Sequence, residues 1–183
     1  MIYITSDLHL NHAKIIEYYD RPYKDVKKMN AALINNINAR VKENDTLYHV
    51  GDFMFKGGWE GGTRPASYFE NKIKGKLIHI LGNHDRNNTI KNSIVYAELE
   101  FANKRWVMQH IPPYTEGQLR IFPKEMPTIY LVGHVHAAWK HKWIGNTLLI
   151  NVGVDVWNFY PRSTNELAGY AEQITKEKQK IFI

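Results

Sequence analysis

Apolar residues in the first half of this chain fall into short runs separated by one longer stretch at helical spacing. Ile2-Tyr3-Ile4, Leu47-Tyr48-His49-Val50 and Leu77-Ile78-His79-Ile80-Leu81 are such runs, and they predict strands over residues 1–5, 46–50 and 76–81. Between the first two, Val26, Met29, Leu33, Ile34, Ile37 and Val41 recur with the helical period, which predicts a helix over 26–40. A shorter helix is expected near 65–72, opening with Pro65 at a first-turn position. Strand, helix, strand, helix, strand at these lengths implies right-handed crossovers and parallel pairing.

Beyond Asn92 the pattern changes. Residues 94–101 and 105–109 flank Ala102-Asn103-Lys104, which predicts a hairpin. Runs at 129–132, 138–144 and 147–151 follow, with Gly145-Asn146 as a second tight turn. A last helix starts near Ser163, with Glu166 three positions on as a capping box, and carries Leu167, Tyr170 and Ala171. A parallel-leaning first half and an antiparallel second half predict an α/β fold of two facing sheets with helices outside, in one domain over residues 1–183.

Composition narrows the function class only a little. The chain of 183 residues is 44% hydrophobic and 23% charged, as in ordinary soluble domains. It has no cysteine, which removes disulfides and thiolate zinc sites and agrees with a reducing, cytoplasmic setting. No apolar window approaches about 18 residues, so no membrane span is expected. The first residues read as a strand, not as a signal peptide. A net charge of +6 favours anionic partners. The cations are scattered in small groups at 24–28, 72–76 and 176–180, none interleaved with aromatics as a single-strand-binding face requires.

The informative chemistry lies at the ends of the apolar runs. Asp7-Leu8-His9, Gly51-Asp52, Gly82-Asn83-His84-Asp85, His110 and Gly133-His134-Val135-His136 each follow one. Carboxylates, imidazoles and an amide at successive strand ends can converge on one rim, where they need a positive charge among them. Asp7 and His9 are two apart, and on an extended backbone both would face one ion; His134 and His136 repeat that spacing. Asp52, leaving its strand through Gly51, is the candidate bridge between two ions, because a carboxylate has two oxygens. Asn83 offers a neutral oxygen to the second ion, and His110 completes that set. Two divalent ions about 3.5–4 Å apart clamp a phosphate and acidify water to the attacking hydroxide. His84 is then placed to hydrogen-bond the substrate and protonate the leaving group. Asp85 has two roles open to it, fixing the tautomer of His84 or capping the next segment. Arg86 is either a phosphate contact or a surface residue, and His12 is a candidate substrate contact. His49 and His79 are assigned to structure, with His49 also open to a supporting role behind the ligands.

In this order the blocks resemble the calcineurin-like metallophosphoesterase superfamily, whose pattern is Asp-x-His, Gly-Asp, Gly-Asn-His-Asp/Glu, a later His and Gly-His-x-His. The resemblance runs from the first strand to about Gly153, and its surrounding wording is similar to that of small bacterial and phage-borne members. It implies a four-layered α/β/β/α sandwich. It implies one metal held by Asp7, His9, Asp52 and His136, another held by Asp52, Asn83, His110 and His134, and His84 as the catalytic histidine. Mn²⁺ is the expected ion, with Fe²⁺, Zn²⁺, Ni²⁺ and Mg²⁺ as alternatives. The segment between His84 and His110 is too short for a cap domain, so loops 53–64, 112–127 and 155–162 must wall the pocket. In those loops Phe55, Trp59, Tyr114, Trp157 and Tyr160 either stack a base or pack.

The expected activity is hydrolysis of small phosphate esters, nucleotide mono- or diesters first. A nuclease on polymeric nucleic acid and a catalytically idle interaction scaffold are the alternatives, and the chain is expected as a monomer or homodimer. The nuclease predicts steeply salt-dependent binding. The scaffold predicts damaged ligand positions, which this sequence lacks.

Overall fold

In the computed structural model, which describes residues 1–57, 62–88, 90–122 and 126–180, side-chain alternation in the first strands divides two cores. β1 (Ile2–Thr5), β2 (Thr46–Val50) and β3 (Lys76–Ile80) pair in parallel in the order β3-β2-β1. On one face, Tyr3, Leu47 and Leu77 meet Leu33 and Ile37 of α2 (Val26–Arg40) and Phe69 of α3 (Ser67–Glu70). On the other, Ile4, Val50 and Ile80 meet Trp106, Met108, Leu131 and Ile150 of a second sheet. Each fully buried aliphatic or aromatic side chain contributes roughly 1.5–3 kcal/mol, which fixes the register of both faces.

The second sheet departs from the antiparallel expectation. Its order is β4 (Ala97–Phe101), β5 (Lys104–Gln109), β6 (Thr128–Val132), β8 (Thr147–Asn151) and β7 (His141–Ile144). β5, β6 and β8 run parallel, and only the edge strands β4 and β7 are antiparallel. The sequence shows the two local hairpins but not these pairings, because the crossovers run through segments without a helical period. The first hairpin turns on two residues, Ala102 and Asn103, both left-handed at φ 51° and 53°, with Lys104 already paired to Phe101.

Helices are unevenly shared between the sheets. The outer face of the second sheet, with Val107, Tyr130 and Leu149, is covered by Leu119, Phe122 and Trp139 from irregular segments. α4 (Thr164–Lys180) sends Leu167, Ala171 and Ile174 into the core between the sheets. Its expected capping box is present: the Ser163 N–H donates to Glu166 Oε2 at 2.8 Å, and the Glu166 N–H donates to Ser163 Oγ at 3.3 Å. Two short elements carry no sequence signal: α1 (Lys14–Tyr18), a single turn, and β9 (Arg162–Ser163), two residues antiparallel to β1. No helix among the described residues is long and apolar enough to cross a membrane.

His49 and His79 lie buried on the helix-facing side, packed around Phe53. Burial pushes the His79 imidazolium down from 6.5 to about 4. Glu70 Oε1 approaches its Nε2 at 3.1 Å, but that nitrogen makes no aligned hydrogen bond among the described residues, so the approach does not offset burial. Between pH 6.5 and 4 the unfolded chain therefore binds more protons at His79, and stability falls as pH is lowered through that window. The shift corresponds to an effect on the order of 3 kcal/mol. Thermal unfolding of metal-free His79→Leu should depend less steeply on pH between 7 and 4 than that of the parent; equal slopes would contradict this.

Candidate metal centre

The loops carrying the metal-type residues all leave the C-terminal ends of parallel strands, where both sheets meet. The β1 and β2 loops are laced by backbone bonds from Asp7 N to Gly51 O and from His9 N to Asp52 O, both 3.0 Å. The β5 and β6 loops join through Gly133 N to His110 O at 3.0 Å, and Val154 N reaches Ser6 O at 3.1 Å across the sheets. Small residues permit this closeness. A Cβ on Gly51, whose φ is +87°, would lie 2.3 Å from His110 Nδ1, and one on Gly133 would overlap Ser6 Oγ.

Seven side chains converge there. Asp52 Oδ2 lies 3.5 Å from His9 Nε2 and 3.3 Å from His110 Nε2. Asn83 Oδ1 lies 3.0 Å from His110 Nε2 and 2.9 Å from His134 Nδ1. His136 Nε2 is 3.9 Å from Asp7 Oδ1. Donor atoms of Asp7, His9 and His136, and of Asp7, Asp52 and His110, lie within 4.8 Å of one another.

The backbone of the Asp-x-His and His-x-His pairs is not the extended one expected from their i, i+2 spacing. Asp7, His9, Asp52, His134 and His136 are all left-handed, with φ from 45° to 71°. In consequence His134 turns to Asn83 while His136 turns to Asp7. Left-handed non-glycine residues cost about 1 kcal/mol or more each, and such strain persists where surrounding structure enforces it, commonly at functional sites.

Electrostatics favours a cation. Burial raises the Asp7 carboxyl above its usual range, against the opposing influence of His110 and His136. Burial also acts to raise Asp52, but the hydrogen bond and charge of His110, with His9 and the His84 N–H, hold it well below. Burial lowers His110 too, yet Asp52 and Asp7 outweigh it and bring the imidazolium to about 9, so without metal a proton occupies this ring. Burial lowers the His9 and His134 imidazoliums below their ordinary value, favouring the neutral form that ligates. His9 Nε2 is buried with no hydrogen-bond partner among the described residues. Oxygen and imidazole donors of this kind suit divalent cations, and the buried His9 nitrogen facing a carboxylate is a donor that such a cation would use.

Supporting residues that the sequence does not single out orient these groups. Buried Arg21 donates to the Asp7 and Leu8 carbonyls at 2.7 and 2.9 Å, and through Nε and Nη2 to Asp155 at 2.8 and 3.0 Å. Asp155 Oδ2 in turn lies 2.9 Å from His136 Nδ1, leaving Nε2 for the centre. Tyr19 stacks on the His136 ring at 3.8 Å. His110 Nδ1 faces the Val50 carbonyl at 2.8 Å. Ser6 Oγ donates to Asp7 Oδ2.

His84 is exposed at the rim, its ring centroid 5.5 Å from that of His9 and its N–H donating to Asp52 Oδ1 at 2.9 Å. Asp85 does not orient His84. Its buried carboxylate accepts from the N–H groups of Asp52 and Gly82 at 2.8 Å and of Phe53 at 2.9 Å. It braces the loops instead, and it does not cap the segment that follows, where no side-chain cap forms among the described residues. His12 is half-buried, with Nδ1 3.3 Å from His9 Nδ1 and its ring stacked on Phe55 at 4.9 Å. Arg86 is exposed beside Asn83. Trp157 is a core residue bonded to the Asn151 carbonyl, Tyr114 and Tyr160 are exposed, and Trp59 lies outside the described residues.

Comparison with known proteins bears on the fold and the family. An uncharacterized protein of Methanocaldococcus jannaschii, MJ1445, is 29% identical over 175 residues, covering 94% of this chain and 92% of its own length. The crystal structure of AQ665 from Aquifex aeolicus, a protein of unknown function, superposes with a TM-score of 0.68 at 22% identity, over 93% of this chain and 98% of that one. That likeness shows a shared fold. Residues 1–164 match the family model of the calcineurin-like phosphoesterase superfamily domain, and the chain belongs to that superfamily.

Proposed function

We propose that this protein is a dinuclear metal-dependent hydrolase of phosphate esters, acting on small nucleotide mono- or diesters, with Mn²⁺ as the working ion. The observation that carries the proposal is the position of Asp52, whose Oδ2 stands within 3.5 Å of both His9 and His110, one from each ligand set. Asp7, His9, Asp52 and His136 would hold one ion, and Asp52, Asn83, His110 and His134 the other. When bound, such a pair supplies Lewis acidity that neutralises phosphate charge and lowers the pKa of water.

The protein's own groups do the rest. His84 has its backbone pinned, the N–H on Asp52 and the carbonyl accepting from Asn88 Nδ2. Its exposed ring is free to donate a proton to the leaving oxygen. His12, backed by Phe55, offers a further polar contact at the rim. Arg21 and Asp155 keep the His136 ring aimed inward. A surplus of six positive charges draws an anionic substrate toward the molecule.

Chelator-stripped protein given Mn²⁺ should hydrolyse members of a panel of aryl phosphate monoesters, aryl diesters, nucleoside monophosphates and cyclic nucleotides. No turnover with any divalent ion contradicts the proposal. His84→Asn should retain metal yet slow alkyl phosphate hydrolysis by about 10²–10⁴-fold, with less effect on aryl esters. Parental activity on the alkyl ester would remove His84 from this role. Asp155→Ala should weaken metal affinity by about 10–100-fold in competition with a chromogenic chelator, and unchanged affinity would show that His136 needs no such support.

A further inference from the structure

Beside the Asn83–His110 end of the centre lies a pocket of about 300 Å³ that the chemistry above leaves unused. Asn83 and His110 form its inner wall, so it opens directly onto the second ligand set. Val95 and Ile111 supply apolar walls, and they are 72% and 47% exposed, large side chains left in water beside a cavity. Apart from the ligand-set residue His110, the charged groups on it are Arg86 and Arg120, and no carboxylate is among the described residues that line it. Among the described residues neither guanidinium has an acidic partner within 4.0 Å. Two like charges over one small cavity favour an anion between them.

Both arginines are carried on anchored backbone. Arg86 directly follows Asp85, whose carboxylate is tied to three backbone N–H groups. The Arg120 N–H donates to the Tyr130 hydroxyl at 2.7 Å. Its guanidinium lies 3.6 Å from the centroid of Tyr96. Packed over a ring, a guanidinium keeps its in-plane N–H fork free, and that fork matches the oxygens of a phosphate.

Resting on the hydrolase reading above, we infer that this pocket is a subsite for a second phosphate group. The substrate is then a small phosphate ester that bears a further phosphate. The body joining the two covers Val95 and Ile111. Arg86 and Arg120 select for that second group and take no part in bond cleavage.

Phosphonates test this independently of turnover, because their carbon–phosphorus bond is not hydrolysed by a phosphoesterase. Calorimetry on Mn²⁺-loaded protein would compare alkanediphosphonates of three to six carbons with alkylphosphonates and phosphonocarboxylates of matching length. The best diphosphonate should bind about tenfold or more tightly than its monophosphonate, with the phosphonocarboxylate between them. Arg120→Ala and Arg86→Ala should each bring the ratio of the two affinities down to about twofold or less, with parental thermal unfolding. Equal affinities in the parent, a ratio that survives both substitutions, a preference for the carboxylate, or no binding of any probe would each overturn the inference. Diphosphonate preference without hydrolysis of any ester would sink the hydrolase reading and leave the subsite. Hydrolysis without that preference would do the reverse.

Discussion

Two carboxylates, Asp7 and Asp52, are buried together where the sheets join, among four imidazoles and, among the described residues, with no lysine or arginine side chain paired to either acid. Bringing like charges out of water is costly unless positive charge enters with them. Without metal, the proton on His110 is the partial answer. The rest of the structure is arranged around that constraint: left-handed backbone at five of the metal-type residues, glycines that let ligand loops touch, and Asp85 tying three amides together beneath Asp52. A divalent cation pair would discharge the repulsion and use the orphaned nitrogen of His9.

How much of this was legible in the sequence depends on the range of the interaction. The first three strands and α2 were readable because their apolar period is local, and the hairpins were readable from Gly145-Asn146 and from Ala102-Asn103-Lys104, the latter turn being one residue shorter than expected. The parallel pairing of β5, β6 and β8 was not, since crossovers without helices leave no period to read. β9 is two residues long and acquires its identity only by lying against β1.

The same division holds at the centre. Residue types after successive strands announced the ligand blocks, because imidazole and carboxylate at a strand end is an unusual composition for a turn. The backbone that turns them was misjudged as extended, and it splits His134 from His136 toward different neighbours. Arg21 and Asp155 are 134 positions apart, so their pairing has no local trace. Asp85 stood beside His84 in sequence, yet its carboxylate points into the loops.

Buried groups set the charge balance of the centre, while Arg86, Arg120, Val95 and Ile111 stand exposed around the adjoining pocket. The central claim is the shared cation pair, and anomalous diffraction from crystals of the Mn²⁺-loaded protein measures it most directly. Two peaks per chain are expected, about 3.5–4 Å apart, with the Asp52 carboxylate touching both. A single peak, none, or peaks remote from Asp52 would contradict it.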